Sequence, residues 1–279
     1  MKIRKPAVAG RFYPSSSKEI TAQLDTILAK EKPNIDIELG KTNIIGCVVP
    51  HAGYMFSAYQ ALHFFEIIKP ANGCQQFDTF IIVNPNHTCR DSDITLDDSD
   101  YWESPFGKVA IDNEFASLLD LPVSAASHRF EHSGEVMLPL LQYALNYPFK
   151  ILPITITVQN QQNALRLAKA IFLASQVQKK NICLIASSDF SHYVDPQEGV
   201  AADQLVIDQI LQLNSLGIQK VVNKNNISVC GYGPIMTLVE YAKLKTNNPM
   251  VKVLRRGHSG EVIPSSEVVD YVTILFYSI

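Results

Sequence analysis

The chain predicts an α/β protein: one domain over residues 1–279, with a mixed, mostly parallel central sheet and helices on both faces. Three observations predict it. Short apolar runs rich in β-branched residues, at 44–49, 77–83, 150–158 and 181–186, are each bounded by polar turns, as strands buried on both faces are. Segments with helical apolar spacing alternate with these runs, which favours βαβ units and parallel pairing. No linker, repeat or low-complexity tract marks a domain boundary.

Taken in order, the opening PAVAGRFYP precedes Ser15, Ser16 and Ser17, which can cap a helix running to about Lys30 with Ile20, Leu24 and Leu28 on one face. Residues 32–41 are polar and interrupted by proline, hence a loop. The run 44–49 is a strand ending in Pro50-His51-Ala52-Gly53, and Ala58, Leu62 and Phe65 mark the helix that follows. The run 77–83 is a second strand, ending in Asn84-Pro85-Asn86-His87-Thr88. The stretch 91–102 is acidic with a short strand at 94–96, Ser104-Pro105-Phe106-Gly107 is a turn, and 113–119 is a short helix.

A helix is expected at MLPLLQYALN near Pro139, a strand at 150–158, and a helix at 164–176. The strand 181–186 ends in Ser187-Ser188-Asp189-Phe190-Ser191-His192-Tyr193. Helices at 201–213 and 235–243 and strands at 250–254 and 268–276 complete the chain, with an antiparallel edge allowed.

The composition narrows the class of function. A chain of 279 residues, 47% apolar and 18% charged with mean hydropathy +0.05, can bury a large core. A net charge of −3 and a pI near 6.2 give no basic field to attract nucleic acid or an anionic membrane. The five cysteines (Cys47, Cys74, Cys89, Cys183, Cys230) are odd in number and form no CxxC pair, which suits a reducing cytoplasm. The opening residues do not read as a signal peptide, and no run reaches the roughly 18 apolar residues of a membrane span.

Three buried strands are each followed within a few residues by a histidine: His51, His87 and His192. Loops leaving the carboxyl ends of strands are where open α/β sheets bind ligands, and neutral imidazole is the commonest metal ligand. Two histidines and one anionic ligand hold a metal with open positions. The third ligand has two kinds of candidate: a carboxylate, Glu135 or Asp189, or Cys230, which precedes a helix start where the dipole favours thiolate.

Asp189 stands three residues before His192 and either orients that imidazole or caps a turn. His132 and Glu135 share an i, i+3 spacing that suits one helix face or a helix cap. His63, His128 and His258 read as structural. The motif Gly231-Tyr232-Gly233 supplies only the first part of a dinucleotide fingerprint and follows no strand. Ser187, Ser188 and Ser191 lie too close in sequence to His192 and Asp189 to form a hydrolytic triad.

Six motifs, PAVAGRFYP, VVPHAGYMFSA, NPNHT, EHSGEVMLP, SSDFSHY and CGYGPI, resemble in sequence and order those of the Memo family, whose prokaryotic members are called AmmeMemoRadiSam system protein B. The resemblance covers nearly the whole chain. It implies a fold similar to the class III extradiol dioxygenases, with His51, His87 and Cys230 as the ligands of a single metal ion. Iron(II) is the implied metal, with copper or zinc as alternatives, since a thiolate favours softer ions than a carboxylate does. It also implies His192 as acid/base, Asp189 beside it, His132 near the cleft, and Tyr54 on the cleft wall for substrate binding. The chain departs from the family pattern at Val136-Met137, which are apolar here, and at Arg256-Gly257-His258-Ser259-Gly260-Glu261.

Two functions follow as expectations. One is a metal-dependent, dioxygenase-like oxidoreductase of unknown substrate. The other is a non-catalytic module that uses the same cleft to bind a protein or peptide, or to handle metal. The resemblance further implies an AMMECR1-like protein and a radical SAM enzyme as partners.

Overall fold

The computed structural model describes residues 1–88 and 92–279, so Cys89 and the first residue of the acidic stretch 91–102 lie outside the described residues. The chain begins with β1 (Ile3–Arg4), α1 (Ser17–Glu31), β2 (Asn43–Val49), α2 (Tyr54–Ile67) and β3 (Thr79–Pro85). There follow β4 (Ile94–Leu96), β5 (Tyr101–Ser104), β6 (Gly107–Ala110), α3 (Asn113–Ala116), α4 (Ala125–Arg129) and α5 (Met137–Ala144). Next come β7 (Lys150–Ile156), α6 (Gln161–Gln178), β8 (Ile182–Ser187), β9 (His192–Val194) and α7 (Pro196–Leu211). The chain closes with α8 (Ser215–Asn225), α9 (Tyr232–Lys245), β10 (Met250–His258) and β11 (Val268–Ser278).

Each long apolar run of the sequence is a strand, and local capping explains where the helices begin. Ser16 caps α1 by accepting from the Glu19 backbone. The helix expected at 201–213 starts earlier, at Pro196, because the Asp195 carboxylate accepts from Gln197 N at 2.9 Å. Helix α8 was not anticipated, although Asn214 caps it by accepting from Gly217 N at 3.0 Å. The short helix expected at 113–119 is one turn, Asn113–Ala116. Strands β1, β5 and β9 were also missed, since two to four residues carry too little periodicity to be read without their partners.

The main sheet has the order β10-β11-β2-β8-β3-β7-β4, with β9 pairing β11 off this path. Strands β2, β8, β3 and β7 run parallel, while β10, β11 and β4 add antiparallel edges. The expected mixed, mostly parallel sheet is therefore present. Helices cover both faces: Gly46 of β2 faces Leu238 of α9, whereas Gly257 of β10 faces Gln60 of α2 from the other side. The side chains of β2, β3 and β8 are buried almost throughout, as expected of strands covered twice. A second, small sheet has the order β1-β5-β6.

The N-terminal segment is tied down by Glu135. This buried carboxylate pairs with Arg4 Nη1 at 2.7 Å and accepts from Ala7 N, Val8 N and Tyr13 Oη at 2.7–3.0 Å. All its hydrogen-bonding capacity is spent on holding PAVAGRFYP, which removes it as a candidate metal ligand. Cys47, Cys74, Cys183 and Cys230 are free thiols. Among the described residues no helix is long and apolar enough to cross a membrane.

Candidate metal centre

Strands β2, β8 and β3 are neighbours, and their carboxyl ends deliver His51, the Ser187-Ser188-Asp189 turn and His87 to one place. Cys230 joins them from the turn that opens α9. That turn lies so close to β8 that a Cβ on Gly231 would sit 2.3 Å from the Ser187 carbonyl oxygen. Only glycine permits the approach. It is secured by Gly231 N donating to Ser188 Oγ at 2.9 Å and by Gln159 Nε2 donating to the Cys230 carbonyl at 2.7 Å.

The hydrogen bonds fix which ring nitrogens are free. The Ser187 hydroxyl donates to the Ser133 carbonyl at 2.7 Å, so towards His51 Nδ1, 2.8 Å away, it presents a lone pair. His51 therefore carries its proton on Nδ1, and Nε2 keeps its lone pair 3.3 Å from Cys230 Sγ. His87 Nδ1 lies 2.9 Å from the Glu131 carboxylate, which can only accept, so its Nε2 is free as well. One ligand atom each from His51, His87 and Cys230 falls within 4.8 Å of the others. His51 is buried, Cys230 half-buried, and His87 closes the group from the open side.

Charge in the cluster is finely balanced. Burial holds the His51 imidazole well below its usual pKa, and any charge on His132, His87 or His192 lowers it further. Burial, then the Asp189 carboxylate, pushes the Cys230 thiol well up. Burial raises Asp189 to about 6 against the pull of the His51 backbone N–H. Burial pushes Glu131 up, but the hydrogen bonds and charge of His87 together with the Ser133 hydroxyl bring it down to about 2. A neutral His51 imidazole and a neutral thiol thus face one another. A cation binding there would displace the thiol proton and gain a thiolate ligand, a donor set that fits soft and borderline ions.

The other expected residues divide. His132 joins the group: its ring lies 5.4 Å from His51 and 4.8 Å from His87, centroid to centroid, and Phe12 packs on it at 4.7 Å. Burial lowers its pKa to about 4. His87, Glu131 and His132 also form a compact group. Glu131 Oε1, however, already accepts from His87 Nδ1, Ser133 N and Ser133 Oγ, so it orients the imidazole and is not left open for a second ion.

His192 is half-buried, with Nδ1 2.8 Å from the Ser228 carbonyl, which leaves its Nε2 lone pair free. Asp189 does not orient it through a hydrogen bond. Its Oδ1 accepts from His51 N at 2.7 Å, so the turn-capping alternative describes it better. Tyr54, expected on the cleft wall, is instead 1% exposed, with its hydroxyl donating to the Val136 carbonyl at 2.6 Å. The core claims it because α2 begins beneath the N-terminal segment, where Tyr13 packs on its ring. His63 pairs with Glu31 at 3.0 Å, and His128 lies 3.2 Å from the Thr95 carbonyl, both structural as expected.

Sequence reasoning missed Glu131 and Ser187. Glu131 was legible as the acidic residue preceding His132. Ser187 was weighed only as a nucleophile, although its role here is to accept from His51.

The fold and the cluster define an α/β protein with two imidazoles and a thiol converging at the carboxyl ends of a parallel sheet. A family model described as Memo-like protein matches residues 4–275. The chain belongs to the Memo family. The "MEMO1 family protein" of Methanococcoides burtonii is 35% identical over 276 residues, covering 98% of this chain and 99% of that one. That of Desulfurococcus amylolyticus is 36% identical over 291 residues, covering 99% and 100%. A crystal structure of an uncharacterized protein, JW3007, from Escherichia coli K12 aligns over 77% of this chain and 91% of that one, with TM-score 0.48 and 11% identity, too slight a likeness to bear on the site.

Proposed function

We propose that this protein binds a single metal ion through His51 Nε2, His87 Nε2 and Cys230 Sγ, and uses the cleft above it for redox chemistry on a small molecule. The supporting observation is that both imidazoles have their Nδ1 protons committed, to Ser187 and Glu131, so that two lone pairs and a sulfur converge. Iron(II) is the proposed ion, with copper or zinc the competitors that a thiolate favours. Bound in this way, a redox-active metal supplies open positions and an accessible change of oxidation state. His192 holds its Nδ1 proton on Ser228 and offers Nε2 to take a proton from a ligand in the cleft. Asp189 holds the His51 backbone in place.

A second reading, a non-catalytic binding module in the same cleft, is favoured by one observation. Asp189 is turned to His51, with Oδ1 on its backbone N–H and Oδ2 3.9 Å from its Nε2, and among the described residues no carboxylate is hydrogen-bonded to His192 to strengthen it as a base. Metal analysis of protein purified without chelator tests the site: wild type should carry about one ion, and His51→Ala and Cys230→Ser should carry little. Equal metal in all three would end the proposal. Oxygen uptake by the iron-loaded protein over a panel of catechols separates the two readings. No uptake, with an acidic peptide bound in a His192-dependent manner, would favour the module.

A further inference from the structure

Sharing no residue with the His51, His87 and Cys230 cluster, α6 and α9 pack against each other and leave a groove of about 390 Å³ lined by Leu165, Arg166, Lys169, Phe172, Leu173 and Leu244. Leu165, Leu173 and Leu244 are 43%, 52% and 43% exposed, and Val177, one turn further along α6, is 70% exposed. Residues 165, 169, 173 and 177 are spaced by four and so form one ridge of the helix. A ridge of leucine and valine broken only by a lysine has no use in the fold, whose core lies on the opposite face of α6 at Leu167, Ala168, Ile171 and Ala174.

Charge narrows what covers it. The protein carries more acidic than basic residues, 27 against 24, yet α6 has no Asp or Glu. The one carboxylate in the groove, Glu240, is buried and occupied by Ser215 and by Lys243 at 2.8 Å. Arg166 and Lys169 form no ion pair among the described residues and stand free at the margin. A second copy related by a twofold axis would set these cations against themselves with no acid to answer them. A flat anionic membrane would not fill a concave groove between two helices.

The geometry points to an amphipathic helix of a partner protein, with a leucine-type stripe seated between α6 and α9 and Asp or Glu flanking it to meet Arg166 and Lys169. This surface is independent of the metal centre. The test uses the full chain and a fluorescently labelled, helix-stapled model peptide with leucines at i, i+3, i+4 and i+7 and glutamates on its flanks. The matched control carries lysines in place of the glutamates. Saturable binding of the acidic peptide is expected, weaker by about tenfold or more in R166E/K169E and in L173N, and weakened by salt. Unchanged melting temperature and metal content in these surface variants would show that fold and cleft are intact. No saturable binding, equal binding of the lysine peptide, or binding indifferent to both variants would overturn the proposal. So would anionic phosphatidylglycerol vesicles, or self-association, depending on Leu173 in the peptide's stead.

Discussion

Glu131 holds His87 at two points: its Oε2 accepts from the His87 backbone N–H at 2.6 Å and its Oε1 lies 2.9 Å from Nδ1. One carboxylate thus sets both the position of the loop after β3 and the tautomer of its imidazole. Replacing Glu131 by Gln removes the charge and one of the two acceptors. Metal affinity, measured by chelator competition, should fall about 10- to 100-fold. Affinity within a factor of two of wild type would show that His87 does not need this partner.

Breaking the Arg4–Glu135 pair should cost stability and leave the cleft intact. Both side chains are almost fully buried, and Glu135 also holds the backbone of Ala7 and Val8. Glu135→Gln leaves the buried guanidinium without its counter-charge, although Arg4 keeps its bonds to the His128 and Glu131 carbonyls, so the loss should fall at or below the usual ~3–5 kcal/mol. Urea denaturation should show that loss, while the folded fraction keeps its metal. Metal loss in the folded fraction, with stability unchanged, would return Glu135 to the list of ligands.

The Gly231 turn is the tightest backbone approach in the centre. An alanine there meets the Ser187 carbonyl and Ser188 Cβ at 2.3 and 2.6 Å, and neither can move without moving β8 or its exit. Gly231→Ala should cost about 1–3 kcal/mol through overpacking and should displace Cys230 from His51. Metal content should fall further than in an alanine variant of an exposed α9 residue such as Lys245. Full metal occupancy in Gly231→Ala would mean that Cys230 is not placed by this contact.

A pH effect is expected outside the candidate metal centre, at Asp203 and Asp270, which face each other in the interior beside Arg256. Burial, then the charge of Asp203, raises Asp270 from 3.8 to about 8. Between those values the folded protein keeps a proton that the unfolded chain has lost, so stability declines as pH rises through this window. Buried histidines with lowered pKa act in the opposite sense, so the informative quantity is the difference between Asp270→Asn and wild type. That difference should grow in the variant's favour by about 2 kcal/mol from pH 5 to pH 8 in urea titrations. Parallel stability curves would mean that the pair holds no extra proton.

The sheet and most helices were legible because their signals are local. The runs 44–49, 77–83 and 181–186 are mostly apolar with β-branched residues in each, and α1 and α7 are capped by Ser16 and Asp195 just before them. His51 and His87 were legible for the same reason, as polar residues where an apolar run stops. Cys230 was legible only as one candidate beside Glu135 and Asp189, since a thiol before a helix start can equally be a small buried residue. Tyr54 misled because an aromatic next to a loop histidine looks the same whether it faces a cleft or, as here, donates to Val136 from within the core.

By itself the sequence determined the alternation of strand and helix, hence the sheet and the end of it at which polar loops gather, because periodicity and caps act over a few residues. Tertiary structure alone decided which groups meet there. It placed β8 between β2 and β3, brought Cys230 over Gly231 to within 3.3 Å of His51, and gave Glu131 to His87 and Glu135 to Arg4. Two glutamates four residues apart in one motif are chemically alike. The packing of the N-terminal segment against one, and of the loop after β3 against the other, made one a structural anchor and the other the partner of an imidazole.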